Sequence, residues 1–145
     1  MKITSPNLVL LVGTLVLASI YGLWHRRSRG KFKGAKARLN QAAAPLVTPE
    51  EIDSTLGSKL TLLQFSSAFC TPCRATRALL TDITADMADV IHVDVDAESH
   101  LELVRRLDIR STPTTVILNK DGHEVGRAVG APKRQQVLDV IASLS

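Results

Sequence analysis

The two cysteines of the chain, Cys70 and Cys73, stand three residues apart and indicate its chemistry most directly. A thiolate at one such position attacks a disulfide, and the second cysteine then displaces the first sulfur from the mixed disulfide. The apolar run Leu60–Phe65 before the pair predicts a strand, and the spacing after it predicts a helix that begins at Cys70. Free N–H groups and the helix dipole favour a thiolate at that place, and Arg74 and Arg77 add positive charge. The pair therefore predicts a redox-active centre.

Two other uses of the cysteine pair fit the sequence less well. A zinc site needs four ligands, usually as two pairs, and the separation of His92 from His100 does not match the usual histidine spacing. A purely structural bridge between Cys70 and Cys73 closes a loop too short to remove much chain entropy. We therefore expect no metal and no other cofactor.

The elements predicted around the pair alternate between helices and strands. In chain order they are a helix from the capping box Thr48-Pro49-Glu50-Glu51 to Gly57, a strand over Leu60–Phe65, a helix with the apolar stripe Ala75, Leu79, Ile83 and Met87, a strand over Ile91–Val95, a helix over Leu101–Leu107, a strand over Thr114–Leu118, a turn at Asn119–Gly122, a strand over Glu124–Val129 and a helix over Pro132–Leu144. Crossovers between parallel strands and one hairpin imply an α/β domain, a central mixed β-sheet flanked by helices.

The first forty residues differ from the rest in composition. They carry eight Lys or Arg and no acid, whereas the remainder carries ten bases and fourteen acids. Residues 3–24 are uncharged, and 22 residues of helix would reach about 33 Å, against about 30 Å for a hydrocarbon core. We predict a single transmembrane anchor over residues 1–24, a basic linker over residues 25–45 that contacts the membrane, and a soluble domain over residues 46–145.

The charge distribution also predicts location and partners. Positive charge after an anchor is retained on the cytoplasmic side, so we expect a single-pass cell-membrane protein with a cytoplasmic domain. The soluble domain has a balance of −4, and only 3% of the chain is aromatic. Both values argue against nucleic-acid binding.

The predicted domain resembles the thioredoxins, over roughly residues 45–145. The resemblance rests on a CxxC motif with Pro72 inside it after a buried strand, on the sequence Ser111-Thr112-Pro113-Thr114 before a later strand, and on the element order. It implies a thioredoxin-like fold with catalytic Cys70 and Cys73 and a cis Pro113 packed beside them. It also implies that the backbone of Thr112 pairs with an extended substrate segment, and that the substrate contacts Phe69, Thr71 and Pro72.

Four positions depart from the usual thioredoxin pattern, and one of them is Thr71, which replaces a glycine. Phe69 replaces the tryptophan before the first cysteine, and Gln64 replaces the buried aspartate that takes the proton of the resolving cysteine. An amide cannot act as a base in this way. His92 stands where the family usually has a lysine, and its ordinary pKa of about 6.5 suits proton transfer. We hypothesise that His92 supplies this function through water; the alternative is a partly exposed structural histidine.

The resemblance implies a membrane-anchored thiol–disulfide oxidoreductase that reduces or exchanges disulfides in protein substrates. It implies a reductase or a low-molecular-weight thiol as the electron donor. Two alternatives stay open at this point. One is an extracytoplasmic thioredoxin-like protein for cytochrome maturation or disulfide repair, and the other is a redox-inactive scaffold with a thioredoxin fold.

Overall fold

A computed structural model of the chain describes residues 6–28, 32–34 and 46–144, and the side chains of residues 10–24 and 46–144. Its elements are α1 (Pro6–Ser28), β1 (Phe32–Gly34), a 3₁₀ helix (Pro49–Ile52), β2 (Leu60–Ser66), α2 (Thr71–Thr84), β3 (Val90–Asp96), α3 (Leu101–Arg106), β4 (Thr114–Asn119), β5 (Glu124–Val129) and α4 (Arg134–Ser143).

The five strands form one mixed sheet in the order β1-β5-β4-β2-β3. β2 pairs in parallel with β3 and antiparallel with β4, and β5 pairs antiparallel with β4 and with β1. A right-handed crossover through a helix is the usual connection between neighbouring parallel strands, and α2 connects β2 to β3. The prediction of a mixed sheet flanked by helices is therefore confirmed.

The strand β1 lies within the segment predicted as a linker. Its backbone pairs with β5, with Phe32 opposite Ala128 and Gly34 opposite Gly126. Three residues are too few to show the alternation that predicts a strand, so only the pairing with β5 identifies this one. The rest of the predicted linker, residues 29–31 and 35–45, lies outside the described residues.

The two faces of the sheet carry two separate cores, because successive side chains of a strand point to opposite sides. Leu63 and Phe65 of β2 pack on the face covered by α3 and the 3₁₀ helix. Leu60 and Leu62 pack on the other face, against Leu80 of α2 and residues of α4. Gln64 follows the same alternation as Leu60 and Leu62, so it lies on the α2 face at the end of β2 nearest the cysteines.

The buried face of α2 differs from the predicted apolar stripe. The residues that face the sheet are Cys73, Thr76, Leu80 and Ile83, whereas Ala75 is exposed. Cys73 is buried at the start of the helix, and the helical repeat places Thr76 one turn later on the same face. Because Thr76 is polar, the hydrophobic periodicity of the sequence did not identify this buried face.

The helix predicted between Thr48 and Gly57 is a single 3₁₀ turn that ends at Ile52. Its start is as predicted, since the Thr48 N–H donates to Glu51 Oε2 at 2.9 Å. Gly57 is not the residue that ends this helix. Its N–H donates to Thr61 Oγ1, and a Cβ atom at this position would collide with the carbonyl oxygen of Leu60.

The predicted membrane anchor and cell-membrane localisation are wrong. Among the described residues, no helix combines the length and the apolar character that crossing a bilayer requires.

The core between the sheet and α2 predicts a large effect of Leu62→Ala. Leu62 is fully buried, and truncating it leaves a cavity among residues that cannot close around it. We expect the free energy of unfolding to fall by about 2–5 kcal/mol in chemical denaturation. Leu101→Ala is the matched control, since this side chain is 53% exposed, and we expect a change within about 0.5 kcal/mol. Equal effects of the two substitutions would contradict the assignment of the core.

Candidate active site

Cys70 and Cys73 form a disulfide at the start of α2, with their Cα atoms 5.2 Å apart. Cys70 is the residue before the first helical turn, and its Sγ accepts a hydrogen bond from the Cys73 N–H at 3.1 Å. Pro72 fits the first turn because the missing N–H would have no partner inside the helix. Cys70 is half-buried, and Cys73 is only 1% exposed. The geometry makes Cys70 the sulfur that an external disulfide reaches.

The loop before β4 lies beside the cysteine loop. The peptide bond between Thr112 and Pro113 is cis, as the resemblance implies. Thr112 Oγ1 lies 3.1 Å from Ser67 Oγ in the loop that leads to Cys70, and the Pro113 carbonyl accepts from the Gly130 N–H at 2.8 Å. The first contact connects the cis-proline loop to the cysteine loop, and the second connects it to the residue after β5. The predicted substrate-binding role of Thr112 and Pro113 stays a prediction.

The surface around Cys70 is open to solvent. Phe69 is 99% exposed, and Thr71 and Pro72 are also exposed. Arg74 lies on the first turn of α2, where its Nη2 donates to Thr71 Oγ1 at 3.3 Å. A fully exposed phenyl ring beside a reactive sulfur offers apolar contact to an incoming chain, which fits the predicted substrate contacts.

Gln64 is the centre of the polar contacts beneath the helix start. Its Nε2 donates to the carbonyl of Cys73 at 2.9 Å and to Ser66 Oγ at 2.8 Å, and its Oε1 lies 3.2 Å from His92 Nε2. A carbonyl can only accept, so the contact with Cys73 fixes the orientation of the amide. The buried amide thereby connects β2, the helix that carries the cysteines and β3.

His92 contacts neither cysteine directly and reaches Cys73 through Gln64. Because Gln64 Oε1 is an acceptor, His92 Nε2 carries the proton, and Nδ1 accepts from the Thr81 hydroxyl at 3.1 Å. Burial lowers the pKa of His92 below its ordinary value of 6.5; the Asp94 carboxylate opposes this shift and the Arg77 guanidinium adds to it. The direction of the pKa shift favours a neutral ring, in which Nδ1 accepts from Thr81, whereas the contacts alone fit both protonation states of the ring.

The negative charge nearest this network is on Asp94. It lies opposite Gln64 in the register of β2 and β3, and its Oδ1 accepts from Ser66 Oγ at 2.5 Å. Asp94 also forms an ion pair with Arg77 of α2. Arg77 was predicted to stabilise the Cys70 thiolate, but its charge is largely compensated by this carboxylate.

Sequence reasoning missed five polar residues of this region: Ser66, Thr76, Thr81, Asp94 and Thr115. The alternation along β3 placed Asp94 on the same side as His92, but only the register with β2 shows that it faces Gln64. The threonines belong to no recognisable motif. Their place near the site follows only from which face of α2 is buried and from the pairing of β2 with β4.

The fold and the site together define a class of protein: a mixed sheet flanked by helices, with a bonded CxxC pair at a helix start beside a cis proline. The thioredoxin family profile matches residues 44–143. The chain therefore belongs to the thioredoxin family. Family membership and the bonded pair support a thiol–disulfide oxidoreductase.

Individual relatives agree with this assignment. The chain is 29% identical to thioredoxin from Chlamydia pneumoniae over 66% of its length and 93% of the relative. It is 36% identical to thioredoxin H5 from Oryza sativa over 50% of its length, a match that spans only 53% of that relative. Among solved structures, spinach chloroplast thioredoxin F is 29% identical, with a TM-score of 0.54 over 61% of this chain and 78% of the other.

The lowered pKa of His92 predicts a pH-dependent stability. In the unfolded chain this histidine takes a proton near pH 6.5, whereas in the folded protein it stays neutral to lower pH. The unfolded state then binds more protons, so the free energy of unfolding falls as pH drops from about 7 to about 5. A glutamine at position 92 does not titrate. In His92→Gln we therefore expect the free energy of unfolding, measured by chemical denaturation, to change less with pH, that is with a smaller slope, across this range.

The same substitution at His123 is the control, because this histidine lies in the hairpin between β4 and β5, at the opposite end of the sheet from the cysteines. It should keep the slope of the parent protein. A slope that is identical in the parent and in His92→Gln would contradict a neutral, buried His92.

Proposed function

We propose that this protein reduces disulfides in protein substrates by two-cysteine exchange. The observation that carries the proposal is the arrangement of the pair, with a reachable Cys70 at the helix start and a buried Cys73 bonded to it. The more exposed sulfur, on Cys70, can attack a large substrate. The buried sulfur, on Cys73, can then displace the substrate from Cys70 within the protein.

The reaction runs in two steps from the reduced pair. The Cys70 thiolate attacks one sulfur of the substrate disulfide, which forms a mixed disulfide and releases the other substrate sulfur as a thiolate. Cys73, as a thiolate, then attacks the Cys70 sulfur, which forms the internal disulfide and releases the second substrate thiolate. The substrate gains two electrons and takes two protons from water, while the cysteine pair loses two electrons and two protons.

The surroundings of Cys70 favour a reductant over an oxidant. A strong oxidant of this type stabilises its reduced form through a very low thiolate pKa. Here Cys70 receives a hydrogen bond from one backbone N–H, and the Arg77 guanidinium is paired with Asp94. We therefore expect a reduction potential closer to about −270 mV, typical of a reducing CxxC protein, than to about −120 mV, typical of an oxidising one.

Protein substrates are proposed to bind across the cysteine loop and the cis-proline loop. The exposed Phe69 and Pro72 offer apolar contact, and the backbone at Thr112 offers hydrogen bonds to an extended substrate segment. The electron donor is proposed to be a reductase or a low-molecular-weight thiol, since the oxidised pair must be reduced again after each cycle.

A trapping experiment tests the assigned roles of the two cysteines. In the full-length protein, we expect Cys73→Ser to accumulate a mixed disulfide with insulin whose disulfides are intact, because the resolving sulfur is absent. We expect Cys70→Ser to form no such adduct at a comparable rate, because Cys73 is 1% exposed. Adducts would be counted by mass spectrometry under non-reducing conditions.

The parent protein should also catalyse insulin reduction by dithiothreitol, and the Cys70→Ser, Cys73→Ser double variant should not. A parent protein without activity in this assay would overturn the proposal. Retention of full cellular activity by the double variant would instead favour the redox-inactive scaffold.

The proton-transfer role predicted for His92 is a second proposal about this reaction. The lone pair of its neutral ring is on Nδ1, beside Thr81, so water must link it to Cys73. If His92 takes this proton, His92→Gln should flatten the pH dependence of the insulin-reduction rate below about pH 7. An unchanged pH profile would leave His92 with a positioning role on Gln64.

A further inference from the structure

Two buried hydroxyl groups on the α2 side of the sheet have no hydrogen-bond partner among the residues that the structure describes. They belong to Thr76, which is 1% exposed, and to Thr115, which is fully buried. Leaving a buried hydroxyl unpaired costs about 1–3 kcal/mol. Two such groups in one region indicate a partner that forms in another state of the protein.

The strand register and the helical repeat place both threonines near Cys73. Thr115 is the partner of Gln64 in the register of β2 and β4, and the side chain of Gln64 reaches the Cys73 carbonyl at 2.9 Å. Cross-strand partners have Cβ atoms about 4.5–5.5 Å apart. Thr76 lies one turn after Cys73 on the buried face of α2, where residues three apart have Cβ atoms about 5–6 Å apart.

The other donors around Cys73 are already engaged in the described part of the chain. Gln64 uses both Nε2 hydrogens on Ser66 and the Cys73 carbonyl, and His92 Nε2 donates to Gln64 Oε1. The Ser66 hydroxyl donates to Asp94. The hydroxyls of Thr76 and Thr115 are left as uncommitted donors on this side of the sheet.

We propose that the Thr76 and Thr115 hydroxyls donate hydrogen bonds to the Cys73 thiolate once the disulfide is open. The inference rests on the proposed function, in which this sulfur must act as a nucleophile although it is 1% exposed. Burial disfavours a charged thiolate, and hydrogen bonds to the charged form offset that penalty. A sulfur in a disulfide carries no charge, so it is a weaker acceptor for these hydroxyls than the thiolate of the reduced protein.

The step that the hydroxyls assist is the second displacement. Cys73 loses its proton to water, its thiolate attacks the Cys70 sulfur, and the bond between Cys70 and the substrate sulfur breaks. The electron pair of that bond leaves with the substrate thiolate, which takes a proton from water. The hydroxyls of Thr76 and Thr115 keep their protons throughout and only stabilise the charge on Cys73.

The experiment measures the pKa of Cys73 in the full-length Cys70→Ser protein, from the ultraviolet absorbance of its thiolate. We expect Thr76→Val and Thr115→Val each to raise this pKa by about one unit, a tenfold loss of thiolate at a given pH. Thr76→Ser and Thr115→Ser keep the hydroxyl and should restore the parent value. With both cysteines present, the second displacement should slow about tenfold in the valine variants at neutral pH.

Thr61→Val is the matched control, because Thr61 is a fully buried threonine of β2 whose hydroxyl accepts from the Gly57 N–H at 2.9 Å. It should lower stability and leave the pKa of Cys73 unchanged. Denaturation of the oxidised valine variants should show stability equal to or above that of the parent, which verifies that they fold.

An unchanged pKa of Cys73 in both Thr76→Val and Thr115→Val would overturn the inference. Failure of the inference is distinguishable from failure of the proposed function. If the parent protein reduces insulin but the pKa does not respond to valine, only the hydroxyl contacts are wrong. If the pKa responds but the parent protein does not reduce insulin, the proposed function is wrong.

Discussion

The hydrogen bond from the Gln64 amide to the carbonyl of Cys73 connects the sheet to the helix that carries the cysteines. The amide is completely buried, so an unmet hydrogen-bonding group on it would cost about 1–3 kcal/mol. Its two donors and its acceptor all have partners, on α2, β2 and β3. The position of Cys73 and the choice of Nε2 as the protonated nitrogen of His92 both depend on this one side chain, because its orientation is fixed by the carbonyl that it contacts.

A neutral residue at this place changes the electrostatics of the site. In the thioredoxin pattern that the sequence resembles, a buried carboxylate lies at this position of the central strand. Here the carboxylate is on the neighbouring strand, at Asp94, and is compensated by Arg77. The charge is one strand further from the cysteine pair, and Ser66 and Gln64 lie between them. Cys73 is therefore held by a neutral polar group, the Gln64 amide, and not by a carboxylate.

The sequence was sufficient for the features that depend on local patterns. The CxxC spacing predicted the cysteine centre, and the order of helices, strands and one hairpin predicted the mixed sheet, whereas the cis peptide bond at Thr112-Pro113 was implied by the resemblance to the thioredoxins. It was insufficient where a polar residue occupies a buried position, because hydrophobic periodicity then indicates the wrong helix face. Thr76 is such a residue, and it shifted the buried face of α2 away from Ala75. The contacts of Gln64 depend on the pairing of three distant segments, which no local pattern contains.

The order of the strands has a consequence for association between copies of the protein. The outer strands of the described sheet are β1 and β3. β1 has only three residues, which gives another chain little backbone with which to extend the sheet. β3 carries Asp94 and Asp96, and charged side chains on an outer strand oppose its pairing with a copy of itself. Both features disfavour growth of the sheet from one molecule to the next, so substrate disulfides can be exchanged without polymerisation through the strands.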